Sequence, residues 1–243
     1  MIIACNWKMN MKRASAHDLV SDMASLSVPD KVQRIIFPPF PLLADIGAQI
    51  RETDILMGGQ DCHSQEKGAY TGDVSASMLA DIGCKWVIIG HSERRQHHNE
   101  GNTIIAEKVS AAQSAGLSVM LCVGETEQDR LSGTSDAIVL DMLASSLPDH
   151  VDPMRLAIAY EPVWAIGTGQ NADEADISGM HNRIAALLDA SDMPDVPVLY
   201  GGSVKPDNVA GILGIASVDG VLVGGASLVA ESINSITSQA LAV

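Results

Sequence analysis

The sequence predicts an α/β protein: a (β/α)8 barrel of eight parallel strands, each followed by a helix. Three observations lead there. Short apolar runs recur eight times with amphipathic stretches between them, and no Pro/Gly/Ser linker or composition break interrupts the alternation. The chain has 243 residues, and a barrel of this kind typically needs about 250, so residues 1–243 read as a single domain. Hydrophobic residues make up 47% while aromatics make up only 3%. Such a core is filled by Val, Ile, Leu, Ala and Met, as parallel strands covered on both faces require.

The strands fall at 2–5, 34–37, 55–59, 86–90, 118–123, 156–160, 198–200 and 219–223. Ser15 and Asp18 open the first helix, Asn102 opens the fourth before Gly116 closes it, and Asp173 with Asp176 starts the sixth. In such a barrel the chemistry gathers where strands end and the following loops begin. Those positions carry the functional information.

Composition excludes several functions. A formal net charge of −15 disfavours nucleic acid and an anionic membrane surface as partners, because both call for a basic face. No apolar run approaches the roughly 20 residues that span a bilayer. The start, MIIACNWKMN, lacks the basic flank and long apolar core of a signal peptide, so a cytoplasmic protein is expected. Cys5, Cys62, Cys84 and Cys122 form no CxxC pair, and three lie in or beside strand-like runs. They read as reduced, buried thiols rather than disulfides or metal ligands.

The most informative stretch is AYEPVWAIGTG at 159–169. Glu161 stands where the sixth strand gives out, on a rigid element yet open to a ligand. Pro162 fixes the first step of a loop that runs through Val163, Trp164 and Ile166 to Gly167, Thr168 and Gly169. An apolar tip with glycines beside it suits a lid that closes over a bound molecule and expels water. A carboxylate with a lid points to proton chemistry on a shielded substrate. Paired glycines follow the seventh strand in YGGSV, 200–204, and the eighth in DGVLVGGASL, 219–228. Two such pairs after the last two strands suit a phosphate site built from backbone N–H groups and a short helix N-terminus. Gly167, Ser203, Gly224 and Gly225 form the expected phosphate set.

AYEPVWAIGTG, together with NWKMN at 6–10 and GHSERR at 90–95, resembles the signatures of the triosephosphate isomerase family. The resemblance extends to every strand-end motif. It implies the interconversion of dihydroxyacetone phosphate and D-glyceraldehyde 3-phosphate through an enediolate, with no cofactor and no metal. Carried over residue by residue, it makes Glu161 the base, His91 a neutral electrophile at a helix N-terminus, Lys8 the electrostatic anchor, Asn6 a polar contact beside it, and Glu93 the group that holds Lys8. Cys122 becomes packing near the base. Tyr200 becomes a latch for the closed lid, and Ile166 with Leu222 an apolar clamp that strips water from Glu161.

The loop Gln60 to Asp73 exceeds the usual 2–6 residues of a connection. Its GAYTG fits the family loop that enters a second subunit, so a homodimer is implied, with Thr71, Asp73 and Arg94 at the interface. Met11 departs from the family's usual glycine, Asp73 from its usual glutamate, and His97 and His98 from its aromatic-glycine continuation; the two histidines read as surface residues. A metal-dependent pentose-phosphate epimerase would show several His and Asp at strand ends, and a non-catalytic barrel would be expected to have lost Glu161, His91 or Lys8.

Overall fold

The structure, a computed structural model, describes residues 1–242 apart from 27, 30 and 167–171. Eight strands close into one all-parallel barrel in chain order: β1 (Ile2–Asn6), β2 (Gln33–Phe37), β3 (Ile55–Gly59), β4 (Trp86–Ile89), β5 (Ser118–Val123), β6 (Leu156–Tyr160), β7 (Val198–Tyr200) and β8 (Gly220–Val223). Each strand pairs with its sequence neighbours, and β1 closes on β8 with Ile2 opposite Gly220.

Alternation along the strands sorts the apolar residues into two cores. Ala4, Ile35, Phe37, Met120, Ala159 and Leu222 belong to the cluster that fills the barrel interior. Their neighbours Ile3, Cys5, Ile36, Leu121, Ile158 and Val223 pack outward against the helices. Small side chains such as Ala4 and Ala159 leave room for Phe37 and Met120, so a core poor in aromatics still fills its volume. Cys5, Cys62, Cys84 and Cys122 are free and buried. Burial pushes the thiols of Cys5, Cys62 and Cys84 up to about 12, which keeps them protonated and unreactive at neutral pH.

The helices are α1 (Arg13–Ala24), α2 (Leu43–Gln49), α3 (Ala76–Asp81), α4 (Ser92–His98), α5 (Asn102–Ser114), α6 (Glu127–Leu131), α7 (Ser135–Ser146), α8 (Glu174–Ala190), α9 (Val209–Leu213) and α10 (Ala230–Ala240). Each strand is followed by a helix, as expected, and β4 and β5 are each followed by two. The helix expected to open at Ser15 starts earlier, at Arg13, and the Ser15 hydroxyl accepts the Lys12 amide at 3.2 Å. Asn102 does open α5, and Gly116, at φ 83°, ends its turn. Asp173 and Asp176 form a reciprocal capping box at the start of α8, as their spacing implies. Among the described residues no helix is long and apolar enough to cross a membrane.

Met11 keeps the left-handed conformation that a glycine would adopt freely, with φ 76°. Holding a larger side chain in that conformation carries a backbone cost of order 1 kcal/mol or more. Met11 is partly buried against the outer core, which offsets some of that strain.

Candidate active site

The site begins with the strand ends. β6 carries Glu161 to the C-terminal rim, where its backbone N–H donates to Val123 O at 2.7 Å and so ties it to β5. Gly124 is required beside it, because a side chain there would collide with the Glu161 carbonyl. β4 ends at Ile89, and Gly90, at φ 71°, turns the chain into His91, the N-cap of α4. Both side chains are deeply buried, His91 at 5% and Glu161 at 2% exposure.

Their geometry defines a contact pair. Nε2 of His91 lies 3.0 Å from Oε1 of Glu161, while the Ser92 amide donates to Oε2 at 2.9 Å. Nδ1 of His91 accepts the Glu93 amide at 3.2 Å, so the proton of a neutral ring resides on Nε2, facing the carboxylate. Burial alone would lower the His91 pKa, but the Glu161 charge and hydrogen bond outweigh it and raise it. Burial alone would raise that of Glu161; His91 and the Ser92 amide outweigh it and lower it. In both groups the mutual contact is the largest influence opposing burial.

Lys8 sits past β1 in a left-handed conformation, φ 52°, held by two side chains. Asn6 Oδ1 accepts its amide at 2.9 Å, and Gln60 Nε2 donates to its carbonyl at 2.8 Å. Its ammonium is 2.6 Å from Glu93 Oε1. Asn6 thereby fixes the lysine backbone as well as lining the cavity.

One cavity of about 700 Å³ brings together Asn6, Lys8, His91 and Glu161 with Ile166, Ser203, Leu222, Gly224 and Gly225. Gly167, the remaining member of the expected phosphate set, lies outside the described residues. Cys122 and Tyr200 stand behind the wall. The Cys122 thiol is held well above its ordinary pKa by burial and by the Glu161 charge, which places it against the carboxylate as inert packing. Burial pushes the Tyr200 hydroxyl up to about 12, opposed by a hydrogen bond to the backbone of Ala172, just past 167–171.

Sequence reading missed several supporting residues. Glu125, 1% exposed, accepts from Tyr160 Oη at 3.0 Å and Trp164 Nε1 at 2.8 Å. Arg130 lies over the Trp164 ring and pairs with Asp176 at 2.8 Å. Arg95 donates to Gly90 O at 2.8 Å and Cys122 O at 3.2 Å, bracing the end of β4 against β5. Strand-end or near-strand position was the only sequence signal for Gln60 and Glu125.

The three residues expected between subunits lie away from this cavity. Thr71 and Asp73 are exposed, and Asp73 Oδ2 is 3.9 Å from His63 Nε2. Arg94 is already engaged within the chain, 2.9 Å from Asp61 and 2.7 Å from Glu100, and Lys108 pairs with the same two carboxylates. His97 and His98 are exposed, as read. Among the described residues no group of three or more His, Cys, Asp or Glu is placed to hold a metal ion.

A closed parallel barrel with a buried carboxylate and imidazole in contact at the C-terminal ends of its strands defines a barrel enzyme working at that face. The triosephosphate isomerase family model matches residues 1–240. The chain is 45% identical to a triosephosphate isomerase of Xanthobacter flavus over 97% of this chain and 95% of that one. It is 47% identical to one of Ruegeria sp. (strain TM1040) over 97% and 96%. The crystal structure of triosephosphate isomerase from Bartonella henselae superimposes with a TM-score of 0.91 at 38% identity, covering 98% of each chain. The chain belongs to the triosephosphate isomerase family.

Proposed function

We propose that this chain interconverts dihydroxyacetone phosphate and D-glyceraldehyde 3-phosphate, the family's reaction, with Glu161 moving the proton between adjacent carbons. A glutamate base, a neutral histidine and a water-excluding lid are the general scheme of triosephosphate isomerases; the roles are carried here onto the matching residues. The observation that supports the reading is the His91–Glu161 pair at 3.0 Å in a cavity that also holds Lys8.

Glu161 first exchanges its hydrogen bonds to Ser92 and His91 for the substrate carbon. Once it turns, the larger raising influence on His91 is gone and only the smaller one of Glu93 remains. Burial and the Lys8 charge then favour the neutral imidazole, as does the amide that occupies Nδ1. Nε2–H is left free to donate to the substrate oxygens as charge develops. Lys8, held by Glu93, adds positive potential, while Ile166 and Leu222 keep water from the carboxylate. Ser203, Gly224 and Gly225, with Gly167, receive the phosphate dianion. No cofactor takes part in a proton shift next to a carbonyl.

A homodimer is part of this reading, supported by the exposed segment 65–73 and by Tyr70 and Met78, large apolar side chains at 44% and 53% exposure. A cytoplasmic location is supported by four unpaired cysteines, which a reducing compartment preserves. A coupled assay with D-glyceraldehyde 3-phosphate, with and without a chelator, tests the activity. Turnover unaffected by chelator is expected, and absence of turnover or its abolition by chelator would reject the proposal.

A further inference from the structure

Among the described residues two cations line the cavity, Lys8 and Lys205, and they differ electrostatically. Lys8 lies 2.6 Å from Glu93 and meets an incoming anion as half of a pair. Lys205, in the turn after β7, is exposed, and its ammonium makes no ion pair among the described residues. Its backbone is fixed, with the amide donating to Asn208 Oδ1 at 2.8 Å. It follows directly on Ser203 and Val204 at the glycine-rich end of the cavity, where Asp207 also contributes to the wall.

The surrounding field makes such a cation matter. A chain of net charge −15 repels a dianion at long range. An unpaired lysine beside the glycine-rich wall places positive charge on the side where the phosphate has to arrive.

Resting on the isomerase reading above, we propose that Lys205 is a capture residue for the phosphate of the substrate. It acts on encounter and discriminates phosphorylated from neutral trioses, with no part in the proton transfer. One unit charge attracting a dianion across about 10 Å of water changes an encounter rate by about fourfold at low salt. Screening with a length of about 10 Å at 0.1 M removes most of this as salt rises. The effect is readable in kcat/KM because triosephosphate isomerases are among the enzymes that reach the diffusional ceiling.

The test compares wild type, Lys205→Gln, Lys205→Arg and Asp207→Asn on D-glyceraldehyde 3-phosphate and on D-glyceraldehyde, from low salt to about 0.5 M KCl. For Lys205→Gln the expected result is a kcat/KM about fourfold lower at low salt, converging on wild type at high salt, with kcat within about twofold. Lys205→Arg should keep the wild-type salt slope, and Asp207→Asn should raise kcat/KM at low salt. The neutral triose should not distinguish the proteins. A loss that persists at high salt, appears equally with the neutral triose, or falls mainly on kcat would overturn the inference in favour of a structural role. Parallel salt profiles in an active enzyme would overturn it alone; a wild type without turnover would reject the isomerase reading as well.

Discussion

The guanidinium of Arg130 lies 4.2 Å from the centre of the Trp164 ring. Arg130 also pairs with Asp176 in the first turn of α8, so a single side chain links the two ends of the segment that carries 167–171. An exposed cation–π contact contributes about 0.5–1 kcal/mol and an exposed ion pair about 0–1, enough to change a closure equilibrium severalfold. Arg130→Leu is expected to raise methylglyoxal formed per isomerisation by about two- to fivefold with little change in Tm. Deleting 166–168, of which 167 and 168 lie outside the described residues, should raise it further, because an open site neither shields the enediolate nor holds the phosphate. An unchanged ratio in both proteins would remove the shielding role from this loop.

Shortening the base should cost activity without unfolding the protein. Glu161→Asp keeps the charge but withdraws the carboxylate by about one methylene, and misplacement on the order of 1 Å costs about 100-fold. The same retreat weakens the contacts to His91 and the Ser92 amide. A purified variant with a near-native circular dichroism spectrum and kcat down about 100-fold is expected; near-normal kcat would take Glu161 out of the base role.

The His91–Glu161 contact makes the stability of the free enzyme depend on pH. His91 has a raised pKa, so its contribution is full below the ordinary histidine value of 6.5 and is lost as pH climbs through the folded value. Glu161 has a lowered pKa, so its contribution is present above the ordinary 4.5 and is lost as pH falls through the folded value. The pair therefore stabilises most between those two ordinary values. Thermal unfolding of wild type and Glu161→Gln from pH 4 to 9 should show wild type gaining most relative to the variant near pH 5–6.5, with the advantage shrinking towards pH 9. Parallel curves would mean that the pair carries no charge in the free protein.

Asp73 is one methylene shorter than the family's glutamate at the proposed subunit contact. If its partner is Arg94 of a second copy, it competes with Asp61 and Glu100, which already hold that guanidinium. The gain from Asp73→Glu is therefore expected at the modest end, about 0–1 kcal/mol of dimer stability. Sedimentation over serial dilution measures it, and Arg94→Ala completes the cycle. Strengthening that persists without Arg94 would assign the effect to another cause.

The barrel was legible because parallel strands buried on both faces write themselves as continuous apolar runs. Four of the sixteen strand ends shifted, each by one residue: polar Asn6 and Gln33 join the pairing, opposite Phe37 and Ile2, while Gly90 and Asp219 fall outside their strands. The residues that meet substrate in the proposed reaction could be named because each stands at a strand end inside a local motif. Their supports could not. Ser92 acts through a backbone amide, which has no sequence signature, and Gln60 reaches Lys8 across 52 positions. Glu125 gained its role from Tyr160 and Trp164, on the next strand and loop. The pairing of Arg94 with Asp61 and Glu100 depends on how α4 and the loop after β3 meet, which residue spacing does not reveal.

Closure of β1 on β8 also sets the order of events during synthesis. Ile2 lies opposite Gly220, packed so closely that a side chain on the glycine would meet the Ile2 backbone. Until the eighth strand is made, the first presents an open hydrogen-bonding edge to other nascent chains. At about 5–20 residues per second, that edge waits roughly 10–45 s for its own partner. The last strand is thus the seal on the first, and a ribosome that stalls before it leaves a sheet competent to pair with a stranger.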